Sequence, residues 1–241
     1  MKTVLFDLDG TLLPMDQDAF TKAYFHYLAK HMAAYGYESE KLIQSIWAGT
    51  KAMVKNDGTK TNEDAFWDCF KTIYDEEHLD DKKYFEDFYR DDFYQAQIAT
   101  DVDPSAKKAV NFLKEKGYEL ILATNPIFPS IATLQRVGWA GLDKDDFSLI
   151  TTYENSTYCK PNPKYYEEII QKMNLDPSEC IMVGNDAIED IAAGVTGMKV
   201  YIITNNLLNG DKVDISKYPH GNFDDFIEWM RANYIKINSN L

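Results

Sequence analysis

The chain has 241 residues, of which 45% are hydrophobic and 27% are charged, a composition typical of a globular protein with a sizeable core. It carries 25 basic and 39 acidic residues, and the formal net charge of -14 opposes binding to a nucleic-acid backbone. No apolar run approaches the roughly 18 residues that a membrane-spanning helix needs. We therefore expect neither a nucleic-acid partner nor a membrane segment.

The N-terminus and the cysteines indicate the compartment. The chain starts in an apolar segment with only Lys2 as a basic residue, which predicts neither a secretory signal nor a transit peptide. Three cysteines are too few and too scattered for a disulfide framework or a thiolate metal site: Cys69, Cys159 and Cys180. No histidine adjoins Cys159, which favours a packed residue over a thiol nucleophile. A reducing cytoplasm is the predicted location, and the choice between monomer and homodimer stays open.

Two carboxylates one residue apart follow the first apolar run. Residues 4–6 predict a buried strand, and Asp7-Leu8-Asp9-Gly10-Thr11 follows directly at its carboxyl end. Open α/β sheets place their ligand sites at this end of their strands. One aspartate could attack phosphorus while the other handles the leaving-group proton, and a divalent cation could hold both together. The alternative is an ordinary acidic turn before the glycine.

The segment from about residue 16 to residue 97 has apolar and aromatic residues at helical spacing and no convincing strand. It predicts four helices, over residues 20–31, 42–53, 61–74 and 84–93. Thr61 with Asp64 has the pattern of a helix start. Most of the aromatic residues are expected to be core rather than ligand contacts, including Trp47, Phe66, Trp67 and Tyr89. Lys51 and Lys55 could reach a second anionic group, although a solvated face is favoured for both.

From Pro104 onward, short apolar runs alternate with amphipathic helices, which predicts a parallel sheet covered on both faces. Strands are predicted over residues 118–123, 147–151, 180–183 and 199–203. Helices are predicted over residues 105–116, 130–137, 163–173, 187–193 and 223–234. The fold class is therefore α/β, with a helical insertion after the first strand.

Two further strand ends carry polar groups that could bind phosphate. Thr124 and Asn125 follow the strand at 118–123, where a hydroxyl and backbone N–H groups could hold phosphate oxygens. Lys160 stands just ahead of the helix that Pro163 begins, and a lysine fixed there could stabilise clustered negative charge. An ordinary turn and a solvated lysine are the alternatives.

Another acidic pair follows the strand at 180–183. Asp186 and Asp190 are four residues apart, so a helix that begins near Asp186 would place both carboxylates on one face toward the strand ends. Capping of that helix by Asp186 is the alternative, and capping and metal binding can coexist.

Together these four stretches resemble the haloacid dehalogenase-like hydrolase superfamily, in its magnesium-dependent phosphatase branch, over nearly the whole chain. One departure is Asn185, which stands between Gly184 and Asp186 where many relatives have the acid directly after the glycine. The four motifs fall in order on Asp7 to Thr11, on Thr124, on Lys160, and on Asp186 with Asp190.

The resemblance implies that Asp7 attacks phosphorus to form an aspartyl-phosphate, and that Asp9 protonates the leaving group and then deprotonates water. Mg²⁺ would be bound by Asp7, the backbone carbonyl of Asp9 and Asp186, whereas Asp190 would lie behind them and orient Lys160. Whether Glu189 or Asp190 joins the metal ligands stays open. The phosphoryl group would be held by Thr124, Asn125 and Lys160.

The implied fold is a Rossmann-like parallel-sheet core, residues 1–15 and 98–241, with an all-helical cap domain, residues 16–97, that chooses the substrate. A small phosphorylated metabolite is favoured over a phosphoprotein, because a lid of this size would shield the pocket. Asp9 argues against a dehalogenase, since halide leaves without a proton. A phosphomutase, a phosphonate-cleaving enzyme with Lys51 or Lys55 as its Schiff-base lysine, and a non-catalytic binding module remain open alternatives.

Overall fold

The computed structural model describes residues 2–74 and 81–235. Residues 75–80, which belong to the predicted cap, and residues 1 and 236–241, which belong to the predicted core, lie outside the described residues. The first strand, β1 (Thr3–Phe6), leads into a long helical segment, and the remaining strands follow that segment in the sequence. The predicted order of one strand, then helices, then an α/β alternation is therefore present in the described part of the chain.

In its described part, residues 17–74 and 81–99, the helical segment contains four α-helices close to the predicted positions. They are α1 (Gln17–Met32), α2 (Ser39–Val54), α3 (Asn62–Lys71) and α4 (Lys82–Asp91), and the 3₁₀-helix Phe93–Ala99 ends the segment. The side chain of Thr61 accepts a hydrogen bond from the backbone N–H of Asp64 at 3.1 Å, which is the cap that the sequence predicts. The fourth helix ends two residues earlier than predicted, because Phe93 already belongs to the 3₁₀-helix.

The two connections between the helical segment and the sheet run side by side. Met15 and Thr100 form an isolated antiparallel bridge. The N–H of Asp16 donates to the carbonyl of Ala99 at 3.2 Å. The chain therefore leaves and re-enters the sheet at one place. The division into domains at residues 15/16 and 97/98 stays a prediction.

Six parallel strands form one sheet in the order β3–β2–β1–β4–β5–β6. The central strand β1 is fully buried, and its continuous apolar sequence is that of a strand covered on both faces. Polar residues that follow β1 and its two neighbours therefore meet at one sheet edge. The other strands are β2 (Glu119–Leu122), β3 (Leu149–Ile150), β4 (Cys180–Gly184), β5 (Lys199–Ile203) and β6 (His220–Gly221).

Helices cover both faces of the sheet. Val4 and Phe6 of β1 belong to one buried apolar cluster, and Leu5 belongs to another that includes Tyr165 and Ile169. This alternation is that of a Rossmann-like α/β core and confirms the predicted fold class. The helices of this part of the chain are α5 (Pro104–Glu115), α6 (Ser130–Trp139), α7 (Pro163–Met173) and α8 (Phe223–Asn233).

The predicted helix over residues 187–193 is wrong. A turn occupies residues 187–190, and the 3₁₀-helix Ile191–Thr196 follows it. The Asp186 side chain accepts hydrogen bonds from the N–H groups of Ile188 at 2.7 Å and Glu189 at 3.0 Å. Such local side-chain bonds offer the backbone an alternative to an α-helix. Strand β6 was not predicted, because its two residues, His220 and Gly221, contain no apolar run.

Among the described residues, no helix combines the length and the apolar character that crossing a bilayer requires.

Candidate active site

Asp7 lies directly after β1, in the middle of the sheet edge. Its N–H donates to the carbonyl of Val183 in β4 at 2.9 Å, so the backbone holds Asp7 beside that strand. Its Oδ1 accepts a hydrogen bond from Lys160 Nζ at 2.9 Å, and its Oδ2 accepts one from Thr11 Oγ1 at 3.0 Å. Only 10% of the side chain is exposed. The carboxylate is therefore fixed in one orientation.

The turn after Asp7 packs against the loop that follows β4. The Thr11 hydroxyl lies 2.9 Å from Asn185 Oδ1 as well, so it joins the two loops. Gly10 has a φ of +86°, and a Cβ atom there would lie 2.3 Å from Asn185 Nδ2. The glycine of the first motif is thus required both by its backbone conformation and by the closeness of Asn185.

Lys160 brings two acidic motifs together. Its side chain is 1% exposed, and its Nζ lies 2.9 Å from Asp7 Oδ1 and 2.7 Å from Asp190 Oδ1. Burial acts to lower the pKa of Lys160, but the carboxylates of Asp190 and Asp7 outweigh it and raise that pKa well above its usual value. The lysine is therefore a permanent cation among buried carboxylates.

Asp186 and Asp190 meet through a turn and not on one helical face. The N–H of Asp186 donates to Asp190 Oδ2 at 2.9 Å, and the N–H of Asp190 donates to the carbonyl of Asp186 at 3.0 Å. A Cβ atom on Gly184 would lie 2.0 Å from Asp190 Oδ2, so the glycine makes room for this carboxylate. The sequence predicted correctly that the two residues lie close together. It predicted a helix between them, however, whereas the structure has a turn.

Thr124 and Asn125 follow β2 at the same edge. Thr124 is 2% exposed, and its carbonyl accepts a hydrogen bond from the Tyr165 hydroxyl at 2.9 Å. Asn125 Nδ2 lies 3.1 Å from both carboxylate oxygens of Glu189, and Asn125 Oδ1 accepts from the N–H of Lys160 at 3.3 Å. Asn125 therefore ties together the segments that carry the second, third and fourth motifs.

Arg136 of α6 is a site residue that the sequence analysis missed. It is fully buried, and its Nη1 donates to Asp9 Oδ2 in an ion pair. Its guanidinium also stacks on the Phe128 ring, 4.5 Å from the centroid. Among the described residues, the buried Oδ1 of Asp9 has no hydrogen-bond partner. The second aspartate is thus held by one oxygen and leaves the other for chemistry.

The carboxylates exceed the cations at this edge. Burial raises the pKa of Glu189 to about 7 and the pKa of Asp190 to about 6, and it also raises the pKa of Asp9 against the opposing charge of Arg136. Such shifts report that further positive charge would be favourable here. Five acidic side chains line this end of the cavity: Asp7, Asp9, Asp186, Glu189 and Asp190.

The donor set fits a hard cation. It consists of carboxylate and carbonyl oxygens, the ligands that Mg²⁺ prefers. Within residues 2–74 and 81–235, no group of three or more His, Cys, Asp or Glu side chains is arranged as a metal site. The ligands implied by the sequence, Asp7 and Asp186 with the carbonyl of Asp9, include only two such side chains. The residues are therefore chemically suited to the ion, and the ion itself stays a prediction.

One cavity of about 330 Å³ joins the sheet edge to the helical segment. It is lined by Asp7, Asp9, Thr124, Asn125, Asp186 and Asp190, whereas Lys160 lies behind Asp7 and Asp190 and is not part of the wall. Four aromatic residues for which the sequence favoured core positions also line the cavity: Trp47, Phe66, Trp67 and Tyr89.

Three residues that were considered for chemistry from the sequence lie away from the cavity or are inert. Lys51 and Lys55 are exposed, as predicted, and do not line the cavity. Cys159 is buried, and burial raises its thiol pKa to about 12, which agrees with a packed residue.

Comparison with known proteins identifies the family. The family described as haloacid dehalogenase-like hydrolase matches residues 1–196. The chain therefore belongs to the haloacid dehalogenase-like hydrolases, as its four motifs predict. The crystal structure of the 2-haloacid dehalogenase from Pseudomonas syringae has a TM-score of 0.61 at 19% identity, over 95% of this chain and 99% of that one. This likeness shows the fold alone.

Relatives that match over most of their length are named phosphatases. Phosphoglycolate phosphatase of Vibrio vulnificus is 23% identical over 220 residues, which cover 90% of this chain and 90% of that protein. Pyrophosphatase PpaX of Bacillus mycoides is 22% identical over 205 residues, which cover 85% of this chain and 84% of that protein. The chain spans about half the length of some other curated relatives. The predicted class of enzyme, a phosphatase of this family, is confirmed by these names and the family match.

Proposed function

We propose that the chain hydrolyses small phosphate monoesters through an aspartyl-phosphate on Asp7. The observation that carries the proposal is the meeting of three separate segments of the chain at one cavity. Asp7 and Asp9 follow β1, Thr124 follows β2, and Asp186 follows β4, and all four side chains line that cavity. A nucleophile, an acid, a hydroxyl and a metal carboxylate are the groups that phosphoryl transfer through a covalent intermediate needs.

The first step would form a bond between a carboxylate oxygen of Asp7 and phosphorus, while the bond from phosphorus to the ester oxygen breaks. Lys160 supports this step because its buried ion pair with Asp7 holds that carboxylate in orientation and offsets its charge. Its second buried ion pair, with Asp190, fixes the lysine. Thr124 and Asn125 would hold the phosphoryl oxygens from the other side of the cavity. Water then attacks phosphorus, the bond to Asp7 breaks, and phosphate is released.

Asp9 would carry the proton in both steps. It gives a proton to the leaving oxygen in the first step and takes one from the attacking water in the second. Its raised pKa favours the protonated form that the first step requires. Arg136 would act as a positioning residue, because it binds Oδ2 and so fixes the carboxyl group, whose Oδ1 has no hydrogen-bond partner among the described residues.

Asp7, the backbone carbonyl of Asp9 and Asp186 would hold Mg²⁺. When bound, the ion would supply positive charge against the clustered carboxylates and the transferring phosphoryl group. Asp190 would contribute indirectly, since it holds Lys160 at 2.7 Å. Glu189 is engaged with Asn125, which favours a supporting position for it over a place among the metal ligands.

The helical segment would act as a cap over the site. Its residues form the far walls of the cavity, so a substrate bound there would be shielded from water. A cavity of about 330 Å³ suits a small phosphorylated molecule, which agrees with the relatives named for phosphoglycolate and pyrophosphate. The cytoplasmic location remains a prediction.

Three of the alternatives receive less support, whereas the phosphomutase stays open. A dehalogenase would have no use for the acid–base group Asp9. The phosphonate-cleaving alternative relied on Lys51 or Lys55, and neither lines the cavity. A phosphomutase would share every residue of the sheet edge, and a binding module would not need Asp7 and Asp9.

The test is hydrolysis of p-nitrophenyl phosphate by the purified full chain with Mg²⁺. We expect Asp7→Asn to abolish turnover, and the exposed control Asp145→Asn to keep it. Mass spectrometry of the acid-quenched wild type should find a phosphoryl group on the peptide that contains Asp7. Asp9→Asn should lose most turnover but still bind metal. A wild-type rate no higher than that of Asp7→Asn would refute the nucleophile and favour a binding module.

A further inference from the structure

The cavity has two ends with different chemistry. The acidic end is formed by the residues at the sheet edge. The end farther from the sheet, called here the distal end, is formed mainly by aromatic side chains of α1 to α4. Six of them are Phe20, Phe25, Trp47, Phe66, Trp67 and Phe85. Four helices thus contribute rings to one wall.

Some of these rings also belong to the core, but Trp47 does not. Phe66 and Phe85 are 7% and 3% exposed, whereas Trp47 is 53% exposed and still lines the cavity. Its ring lies 5.4 Å from that of Phe25, so the two form a joint apolar surface. Phe25 is partly buried against the core, so it supports the exposed Trp47 ring from one side. An exposed ring beside a cavity is suited to contact a ligand, because a rigid ring buries much area at little cost in conformational entropy.

Several polar groups of the distal end already have partners within the protein. The hydroxyls of Tyr24 and Tyr89 lie 2.9 Å apart and bond to each other. The Thr50 hydroxyl donates to the carbonyl of Ile46 at 2.9 Å, one turn back in its own helix. Gln17, Thr21 and the indole N–H of Trp67, which has no hydrogen-bond partner among the described residues, remain as uncharged polar groups of the wall. The distal end is therefore mostly apolar in chemistry as well as in composition.

The charges at the distal end do not favour an anion. Among the described residues that line the cavity, Lys82 is the only cation. Its Nζ bonds to Glu63 and lies 4.0 Å from Glu86, which also lines the cavity. Two carboxylates thus surround one ammonium group. A second phosphate or a carboxylate on the substrate would meet an ammonium group already shared by two carboxylates, so it would gain little attraction to offset repulsion from Glu86.

We propose that the leaving group of the substrate is an uncharged apolar alcohol, with a ring or short alkyl chain held against Trp47 and Phe25. This inference rests on the phosphatase function proposed above. The cavity volume agrees with this proposal. An apolar cavity of about 150 Å³ can hold a benzene molecule, and this cavity has about 330 Å³. The phosphoryl group occupies the acidic end, and the remaining volume accommodates one ring.

The experiment compares three esters of alkyl alcohols with the purified full chain and Mg²⁺: benzyl phosphate, glycerol 3-phosphate and 2-phosphoglycolate. Their leaving groups need similar help from an acid, so they differ chiefly in polarity and charge. We expect kcat/KM for benzyl phosphate to exceed both others by at least about tenfold, a ratio typical for small apolar differences in a pocket. Benzylphosphonate should likewise inhibit at about tenfold lower concentration than methylphosphonate.

Two variants connect the preference to the structure. Trp47→Ser should reduce the preference for benzyl phosphate over glycerol 3-phosphate about fivefold, mainly through KM, because the ring loses its contact surface. The matched control is Tyr94→Ser, since Tyr94 is 57% exposed on the same segment but does not line the cavity. This control should keep the wild-type preference.

The outcomes separate the two proposals. If p-nitrophenyl phosphate is hydrolysed in a manner that depends on Asp7, but glycerol 3-phosphate or 2-phosphoglycolate is preferred, the apolar leaving group is refuted and the phosphatase stands. If Trp47→Ser keeps the full preference, the placement against Trp47 is refuted. If no phosphate ester is hydrolysed, the phosphatase proposal fails, and the leaving-group proposal fails with it.

Discussion

The two ends of the cavity are built by opposite means. At the acidic end, polar atoms from three adjacent strand ends hold one another by hydrogen bonds, as in the run from Lys160 to Asp7, Thr11 and Asn185. At the distal end, rings on four helices pack mainly without such directed bonds, and the paired hydroxyls of Tyr24 and Tyr89 are an exception. The acidic end is therefore suited to one fixed chemistry, and the distal end to selecting among leaving groups.

The two ends also differ in their expected tolerance to substitution. A buried charge network loses several interactions when one member is removed, because the remaining charges stay buried without partners. An aromatic wall can repack around a changed ring at smaller cost. Substitutions at the acidic end should therefore change turnover or stability by orders of magnitude, and those at the distal end should change ratios between substrates.

The largest effect is expected from loss of the metal. EDTA should abolish hydrolysis of p-nitrophenyl phosphate, and added Mg²⁺ should restore it. Asp186→Asn should lower kcat/KM by about 10³-fold, the size expected for losing one preorganised electrostatic group. The increase in Tm that Mg²⁺ gives the wild type should shrink in Asp186→Asn but persist in the exposed control Asp145→Asn. Equal Tm increases in all three proteins would place the ion elsewhere.

Removing Lys160 should chiefly reduce stability. Lys160→Met leaves Asp7 and Asp190 buried without their cation, which should lower the free energy of unfolding by about 3–5 kcal/mol. The matched surface control is Lys172→Met, whose pair with Glu168 should be worth about 0–1 kcal/mol. Urea denaturation of the metal-free proteins measures both.

The loss in Lys160→Met should also depend on pH. Burial already raises the pKa of Asp190 to about 6 in the wild type, and removing the ammonium group raises it further. A carboxyl group whose folded-state pKa exceeds its unfolded value favours the folded state at low pH and loses that contribution as pH rises. The variant should therefore be closer to wild type at pH 5 than at pH 8. A difference that grows on acidification would contradict the assignment.

Arg136 offers a test of the proton donor. If Arg136 positions Asp9, Arg136→Gln should lower kcat/KM for glycerol 3-phosphate or benzyl phosphate, which covers the steps up to release of the alcohol, by about 10²-fold, because alkoxides leave poorly without a proton. The loss with p-nitrophenyl phosphate should be much smaller, since nitrophenolate leaves readily. Arg136→Lys should recover part of the difference. Equal losses with both kinds of ester would indicate a purely structural arginine.

The meeting of polar residues at the acidic end could be predicted from the sequence because these residues directly follow apolar strands, whereas their roles stay a prediction. Asp7, Thr124 and Asp186 each follow a buried strand, which is visible in the sequence as a short apolar run. Because the strands are parallel, their carboxyl ends lie at the same edge of the sheet. The hydrogen-bond partners could not be predicted in the same way. The turn that joins Asp186 to Asp190 depends on side-chain bonds to backbone groups, which have no periodic signal.

Arg136 was missed because a helical arginine is normally solvated. A signal exists in the spacing, since Ala132, Thr133, Arg136 and Val137 repeat at the intervals of one helix face, and all four are buried. A charged residue inside an apolar stripe predicts a buried partner, and the sequence contains more acidic than basic residues to supply one. The identity of that partner, Asp9, requires the tertiary structure.

The distal end was the hardest part to predict, because core rings and ligand-binding rings have the same spacing on a helix. Trp47 and Phe66 both fit an apolar face, yet one is 53% exposed and the other 7%. Only the packing of α2 against α3 and α1 decides which ring a neighbouring helix covers. The rings of the distal end are thus determined by packing between helices, which the sequence does not show. The polar residues of the acidic end directly follow strands, which the sequence does show.

The smallest expected effect is a change of preference at the distal end. Glu86→Lys would place an ammonium group beside Lys82, which stays bonded to Glu63, so the cavity would gain an unpaired cation. The ratio of kcat/KM for 2-phosphoglycolate to that for benzyl phosphate should rise about three- to tenfold, in proportion to a partly screened charge interaction.

The control for this change is Glu228→Lys. Glu228 lies on α8 and is 79% exposed, and its substitution alters the net charge by the same amount as Glu86→Lys. It separates attraction within the cavity from long-range steering of an anion. Steering would raise the ratio in both variants, and this increase would become smaller with added salt. A rise confined to Glu86→Lys would show that charge at the distal end limits binding of a second anionic group. An unchanged ratio would mean that the substrate carboxylate never reaches this wall, and that shape rather than charge sets the preference.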